Sequence, residues 1–198
     1  MLDRIMGNIF TVIGVGFVSV ALFLCLENVH EEKVALSSSE NALFFITTHI
    51  GESEFNSDIL VEEYVDDFEL SMVEPLMIDG NLYAGMLDIP DLQLQLPIQS
   101  EWSYPKLKIS PCIYKEEPFS ILAHNYNAHF AKIGTLKIGA EVSYITINGY
   151  KTDYKVVSIE QINEKDVEKL NDLSYDLSLV TCNYDNNTQR IVVRLVKK

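Results

Sequence analysis

The chain has 198 residues and a formal net charge of −14, with 15 Lys and Arg against 29 Asp and Glu. That length suits one globular domain with appendages. The charge is uneven: 16 acidic residues and one basic residue lie between Glu27 and Asp91, whereas 12 acidic and 13 basic residues lie from Leu92 onward. No basic stripe is present, which excludes nucleic acid as the expected partner, and the acidic stretch reads as a solvated, self-repelling spacer.

Taken in chain order, the first element is the uncharged run Ile9 to Leu26, 18 residues long. That is close to the ~20 apolar residues a membrane-crossing helix needs. Arg4 precedes it, and Glu27, Glu31 and Glu32 follow. This predicts a single-pass cell-membrane protein with its N-terminus inside and its main domain extracellular. No small-x-small cleavage site follows the run, so it reads as a retained anchor. Cys25, preceded by the bulky Leu24, reads as an apolar membrane residue. Residues 1–27 are therefore a cytoplasmic stub and transmembrane anchor.

Residues 28–75 read as an acidic, partly helical spacer. Ser39 to Thr48 has helical spacing with Ser39 as the expected N-cap. Asp58 to Glu69 carries Ile59, Leu60, Val61, Tyr64, Val65 and Phe68, which suits an amphipathic helix. Its spacing leaves open whether it packs on the main domain or holds that domain off the membrane.

Residues 76–198 are strand-rich. Leu92, Leu94 and Leu96 alternate strictly between Pro90 and Pro97, predicting a half-buried strand bracketed by prolines. Further strands are predicted at Ser120–Ala123, Glu141–Ile147, Tyr154–Ile159, Leu177–Thr181 and Ile191–Val196. Asn148-Gly149 is a hairpin signal between two of them. Asn163 to Leu173 reads as a short helix or helical turn. Many short strands with few helices predict a mainly β fold, a closed or nearly closed barrel.

The run Leu177 to Cys182 delivers a thiol to the end of an alternating strand, and Arg190 follows eight residues later. A thiolate can attack a carbonyl and a fixed guanidinium can steady the oxyanion, so the pair suits acyl transfer. Arg194 shares a strand face with Arg190, and spacing alone does not separate them. His124 ends an apolar run and opens a polar loop. His129 lies five residues on, but no further Cys or His at ligand spacing supports a metal site. Cys112 and Cys182 lie outside the anchor, and as an even pair they leave a disulfide and two free thiols both open.

These segments together resemble the sortase family. The resemblance covers the strand into Ala123-His124, the Phe130 and Leu136-Lys137-Ile138-Gly139 segment, Tyr154-Lys155-Val156, Thr181-Cys182 and Gln189-Arg190-Ile191-Val192-Val193. Ile89-Pro90, Leu94 and Leu96-Pro97-Ile98 are similar to the first barrel strands of the family. Many sortases carry glycine where this chain has Ala123, a difference of one methyl. Asp66-Asp67-Phe68 is a weak echo of the lid motif in the pilin-polymerising class, and the class is left unassigned. The resemblance implies a sortase-like barrel of about eight strands with short helices behind the anchor. It implies a free Cys182 that cleaves a C-terminal sorting signal of secreted proteins through a thioacyl-enzyme. The acyl group then passes to a cell-wall peptidoglycan precursor or pilin amine. His124 would serve as acid and base, Arg190 as the oxyanion or substrate ligand, and Thr181 as a substrate-binding residue. No cofactor is implied, although calcium stimulation through Glu116, Glu117 and Glu164 is open. The rival readings are a membrane-anchored cysteine peptidase that releases product to water, and a non-catalytic surface binding barrel.

Overall fold

The computed structural model describes residues 2–57, 74–183, 186 and 188–198. The stretch expected to be amphipathic at 58–69, with Asp66-Asp67-Phe68, lies outside them.

The N-terminal element is one helix, α1 (Leu2–Ser57). At 1.5 Å per residue its 56 residues span about 84 Å. Ser39 is therefore a mid-helix residue and not an N-cap. No Gly or Pro occurs between Phe17 and Ile50, so nothing interrupts the backbone ladder there. Ser39 is buried, and its Oγ donates to the Ile109 carbonyl at 3.3 Å. Ala35, Ser39, Ala42 and Ile46 are all buried, and their spacing of four, three and four residues makes one face. Small side chains at three of these positions let the helix lie close on its partner. Ala42 and Ile46 pack with Ile78, Tyr83, Met86 and Ile147. Earlier in α1, Ile13–Gly51 contains a window long and apolar enough to cross a membrane.

Nine strands follow: β1 (Leu76–Ile78), β2 (Asn81–Ile89), β3 (Leu94–Gln99), β4 (Cys112–Lys115), β5 (Ser120–Leu122), β6 (Glu141–Thr146), β7 (Lys151–Asn163), β8 (Leu177–Cys182) and β9 (Gln189–Lys197). Their order is β1-β2-β3-β4-β5-β8-β9-β7-β6, and β6 also pairs with β2. The last pairing closes an eight-stranded barrel, with β1 attached outside the ring. Gly85 makes the closure possible: a Cβ there would lie 2.2 Å from the Ile145 carbonyl oxygen of β6. The Asn148-Gly149 signal is the β6–β7 turn, with Gly149 at φ +86°. The 163–173 connection contains a short 3-10 helix, Val167–Asn171. A second short helix, α2 (Tyr104–Leu107), is capped by Ser103.

Pro97 departs from expectation, since it sits within β3 opposite Met86. β3 meets β4 only at Gln99, so much of that edge carries no ladder and a missing N–H is tolerated. The barrel interior is filled by alternate residues such as Leu87, Ile98, Ile121, Leu179 and Val193. A separate cluster of Val180, Val192 and Ile162, with Leu122 and Leu170 against it, lies outside the ring.

Candidate active site

Alternation assigns the candidate residues to a face. On β8, Leu177 and Leu179 belong to the interior core while Val180 belongs to the outer cluster, so Cys182 points outward. On β9, Val193 and Leu195 are interior and Val192 is outer, so Arg190 and Arg194 are outer. On β5, Ile121 and Ala123 are interior and Leu122 is outer. His124, one step further, continues on the outer face.

Register then brings three of these residues into one row. Cys182 pairs directly with Arg190 across β8 and β9. β5 runs parallel to β8 with Ser120 beside Ser178 and Leu122 beside Val180, and the same offset sets His124 beside Cys182. Two bonds hold that offset past the end of β5: Ala123 N–H donates to the Val180 carbonyl at 3.1 Å, and Thr181 Oγ1 donates to the Ala123 carbonyl at 3.0 Å. His124 and Arg190 thus flank Cys182, each at about one strand spacing of 4.8 Å. Thr181 faces the opposite way, into the interior, and its hydroxyl ties β5 to β8.

The neighbours of the row set its electrostatics. Arg190 Nη2 pairs with Glu164 at 3.0 Å, and Nη1 donates to the Gln189 carbonyl at 3.0 Å. Burial disfavours the imidazolium of His124 and lowers its pKa; the Glu31 carboxylate opposes this and Lys108 adds to it. Nε2 of His124 is buried without a hydrogen-bond partner among the described residues. The Tyr126 ring stacks on the His124 ring with centroids 4.9 Å apart. Behind it, His129 is buried, and desolvation together with His124 pushes its pKa down to about 4.

Arg194 has a different occupation. It lies four residues, about 13 Å, along β9 from Arg190, opposite Ser178. Fully buried, it donates to Ser178 Oγ at 2.9 Å and to the Lys169 carbonyl, and lies over the Tyr175 ring. It therefore clamps the 163–176 connection to the barrel. All three cysteines are free. Cys112 pairs with Leu122, and Leu122 with Val180, so two strand spacings and two residues along β8, ~12 Å in all, separate it from Cys182, too far for a disulfide. Burial pushes the Cys112 thiol up to about 12.

Glu116, Glu117 and Glu164 do not converge. Glu164 follows β7 beside Arg190, whereas Glu116 and Glu117 line a cleft of about 660 Å³ at the other mouth of the barrel, with Phe119, Tyr144, Tyr154 and Tyr175. Among the described residues no group of three His, Cys, Asp or Glu side chains is placed to hold a metal ion. Two neighbours of the row escaped the sequence reading. Tyr126 lies between His124 and His129 with nothing in its spacing to mark it, and Glu31, 95 residues from its partner Tyr126, left no local signal.

The comparisons agree with this architecture. Residues 87–198 match the family model described as the sortase domain. No curated protein matches the sequence. Among solved structures, sortase C from Clostridium perfringens SM101 superposes with a TM-score of 0.52 at 22% identity, covering 79% of this chain and 89% of that one. Sortase C1 from Streptococcus agalactiae gives 0.55 at 19% identity, covering 84% and 98%. The Clostridium perfringens sortase D5 transpeptidase gives 0.55 at 18% identity, covering 76% and 99%. At these identities the structural likeness is one of fold. The family-model match spans more than half of the sequence, and the chain belongs to the sortase family.

Proposed function

We propose that this protein is a membrane-anchored cysteine transpeptidase. It cleaves a C-terminal sorting signal on secreted proteins and passes the acyl group to a cell-wall or pilin amine. The observation that carries the reading is the outer-face row of His124, Cys182 and Arg190 on three adjacent strand ends. A Clostridium perfringens sortase C, 22% identical to this chain, has been solved with the C-terminal cell wall sorting motif. Arg4 before the apolar run and the acids after it favour an extracellular barrel.

In this mechanism Cys182 Sγ bonds to the scissile carbonyl carbon. Burial keeps His124 neutral at pH 7, so its imidazole accepts the thiol proton during attack. The resulting imidazolium returns that proton to the leaving amine as the C–N bond breaks, leaving a thioester. Neutral His124 then takes a proton from the incoming amine and hands it to the Cys182 sulfur, which leaves as a thiol as the thioester C–S bond breaks and the new amide forms. Arg190, held by Glu164, stabilises the oxyanion of both tetrahedral species. Thr181 acts by fixing β8 against β5.

The test uses the full chain in detergent, a peptide library bearing C-terminal signals, and a graded concentration of a glycine-peptide amine. Amide product should rise with amine at the expense of acid, and Cys182→Ala should abolish both. Acid alone at every amine concentration means a peptidase; retained function in Cys182→Ala means a binding barrel.

A further inference from the structure

The loop after His124 is held from outside the barrel, by the helix that carries the anchor. Tyr126 Oη donates to Glu31 Oε2 at 3.0 Å, and the Asn127 backbone N–H donates to Glu32 Oε1 at 3.0 Å. Lys108 pairs with the same Glu31 carboxylate. Within the loop, Phe130 N–H returns to the His124 carbonyl at 3.2 Å, and His129 and Ala131 N–H both return to the Tyr126 carbonyl. The Tyr126 ring meets both imidazoles: His124 stacks on it at 4.9 Å and 25°, and His129 lies 5.6 Å away, tilted by 37°. A stacked ring fixes the tilt of its neighbour, and its one polar atom is anchored on α1.

We propose that Tyr126 is a positioning residue for His124, and that Glu31 of α1 holds it in place, so that the anchor helix sets the orientation of the acid–base imidazole. The proposal rests on the transpeptidase reading, in which His124 moves the protons. The Tyr126–Glu31 bond is charge-assisted, and such bonds are shorter and stronger than neutral ones. Its loss leaves the ring in contact with His124 but free to slide. The charged and titratable groups facing this loop are Glu31, Glu32 and Lys108 from outside, His129 behind it and Cys182 beside His124.

The experiment compares full-length Tyr126→Phe, Glu31→Gln, the double variant and Lys108→Met in detergent. Rates are compared only between preparations that match the parent in thermal unfolding midpoint and elute as one monodisperse peak, so that misfolded protein is not counted. Tyr126→Phe and Glu31→Gln should each lower kcat about tenfold with little change in KM, a tenfold change being the size of one such bond. The double variant should fall no further than either single one. In Glu31→Gln the His124 imidazole, followed by NMR, should titrate at lower pH, because the carboxylate that opposed its burial is gone. Lys108→Met, which keeps the Tyr126 bond, should hold kcat within about twofold. The proposal is overturned if both single variants keep kcat within twofold, or if their losses multiply in the double variant. An unmoved imidazole in Glu31→Gln overturns it too. The titration needs no turnover, so it still reports on the link if His124→Ala shows the transpeptidase reading itself to be wrong.

Discussion

Cys112 and Cys182 show how far position decides the chemistry of one side chain. Cys112 has no exposed surface, its thiol is held protonated by burial, and its Sγ donates to the Ser110 carbonyl at 3.4 Å. Cys182 ends its strand on the outer face beside His124. Iodoacetamide at pH 7.5 should therefore modify Cys182 and spare Cys112, as read by peptide mass; equal labelling of both would contradict the assigned faces. His129 yields a prediction about stability. Its pKa is about 4 when folded, against ~6.5 for a free imidazole, so between these values the unfolded chain binds the extra proton. Its contribution is intact above pH 6.5 and is lost as pH falls toward 4, amounting to about 2 kcal/mol by pH 5. Denaturant titrations at pH 7.5 and 5 should show a smaller pH difference in His129→Gln than in the parent. The same difference in both chains would sink the assignment.

Among the elements, α1 gains most from tertiary context. Its buried face of Ala35, Ser39, Ala42 and Ile46 covers Ile78, Tyr83 and Met86 on the barrel. Ile46→Ala should cost about 3 kcal/mol as a cavity forms, seen as a Tm drop of roughly 10 °C. Phe44→Ala, on the exposed side of the same turn, should change little. Equal effects would mean that the helix does not dock through this face. Most barrel strands were legible because a barrel wall sorts side chains inward and outward, which the chain records as alternation in β6, β8 and β9. β2, β4 and three further features were not. β1 is three residues long, and Pro97 within β3 depends on what that edge has to pair with. The continuity of α1 depends on a surface formed by residues 78–147.

At the scale of the whole molecule, α1 orients the barrel. Glu31 and Glu32 touch the loop beside the His124–Cys182–Arg190 row, while Ile50 packs at the β6–β7 turn, where Gly149 lies at the other mouth. The 19 residue steps from Glu31 to Ile50 rise about 28 Å. The apolar part of α1 precedes Glu31 and so extends beyond the mouth that bears Cys182. The thiol should therefore face the bilayer. In nanodiscs, a fluorophore on Cys182, with Cys25 and Cys112 replaced, should be quenched by lipid-attached quenchers more strongly than one on Thr152→Cys with Cys182 also replaced. The reverse order would refute this arrangement. By itself the sequence determined the N-terminal apolar run, the alternating strands, the hairpin turn and the residue types of the row, because those signals are local in the chain. The tertiary structure alone decided that α1 is one docked helix, that Arg190 and not Arg194 stands beside the thiol, and that Glu31 reaches the His124 loop. Those outcomes depend on register and burial between segments up to 95 residues apart, and no local pattern encodes them.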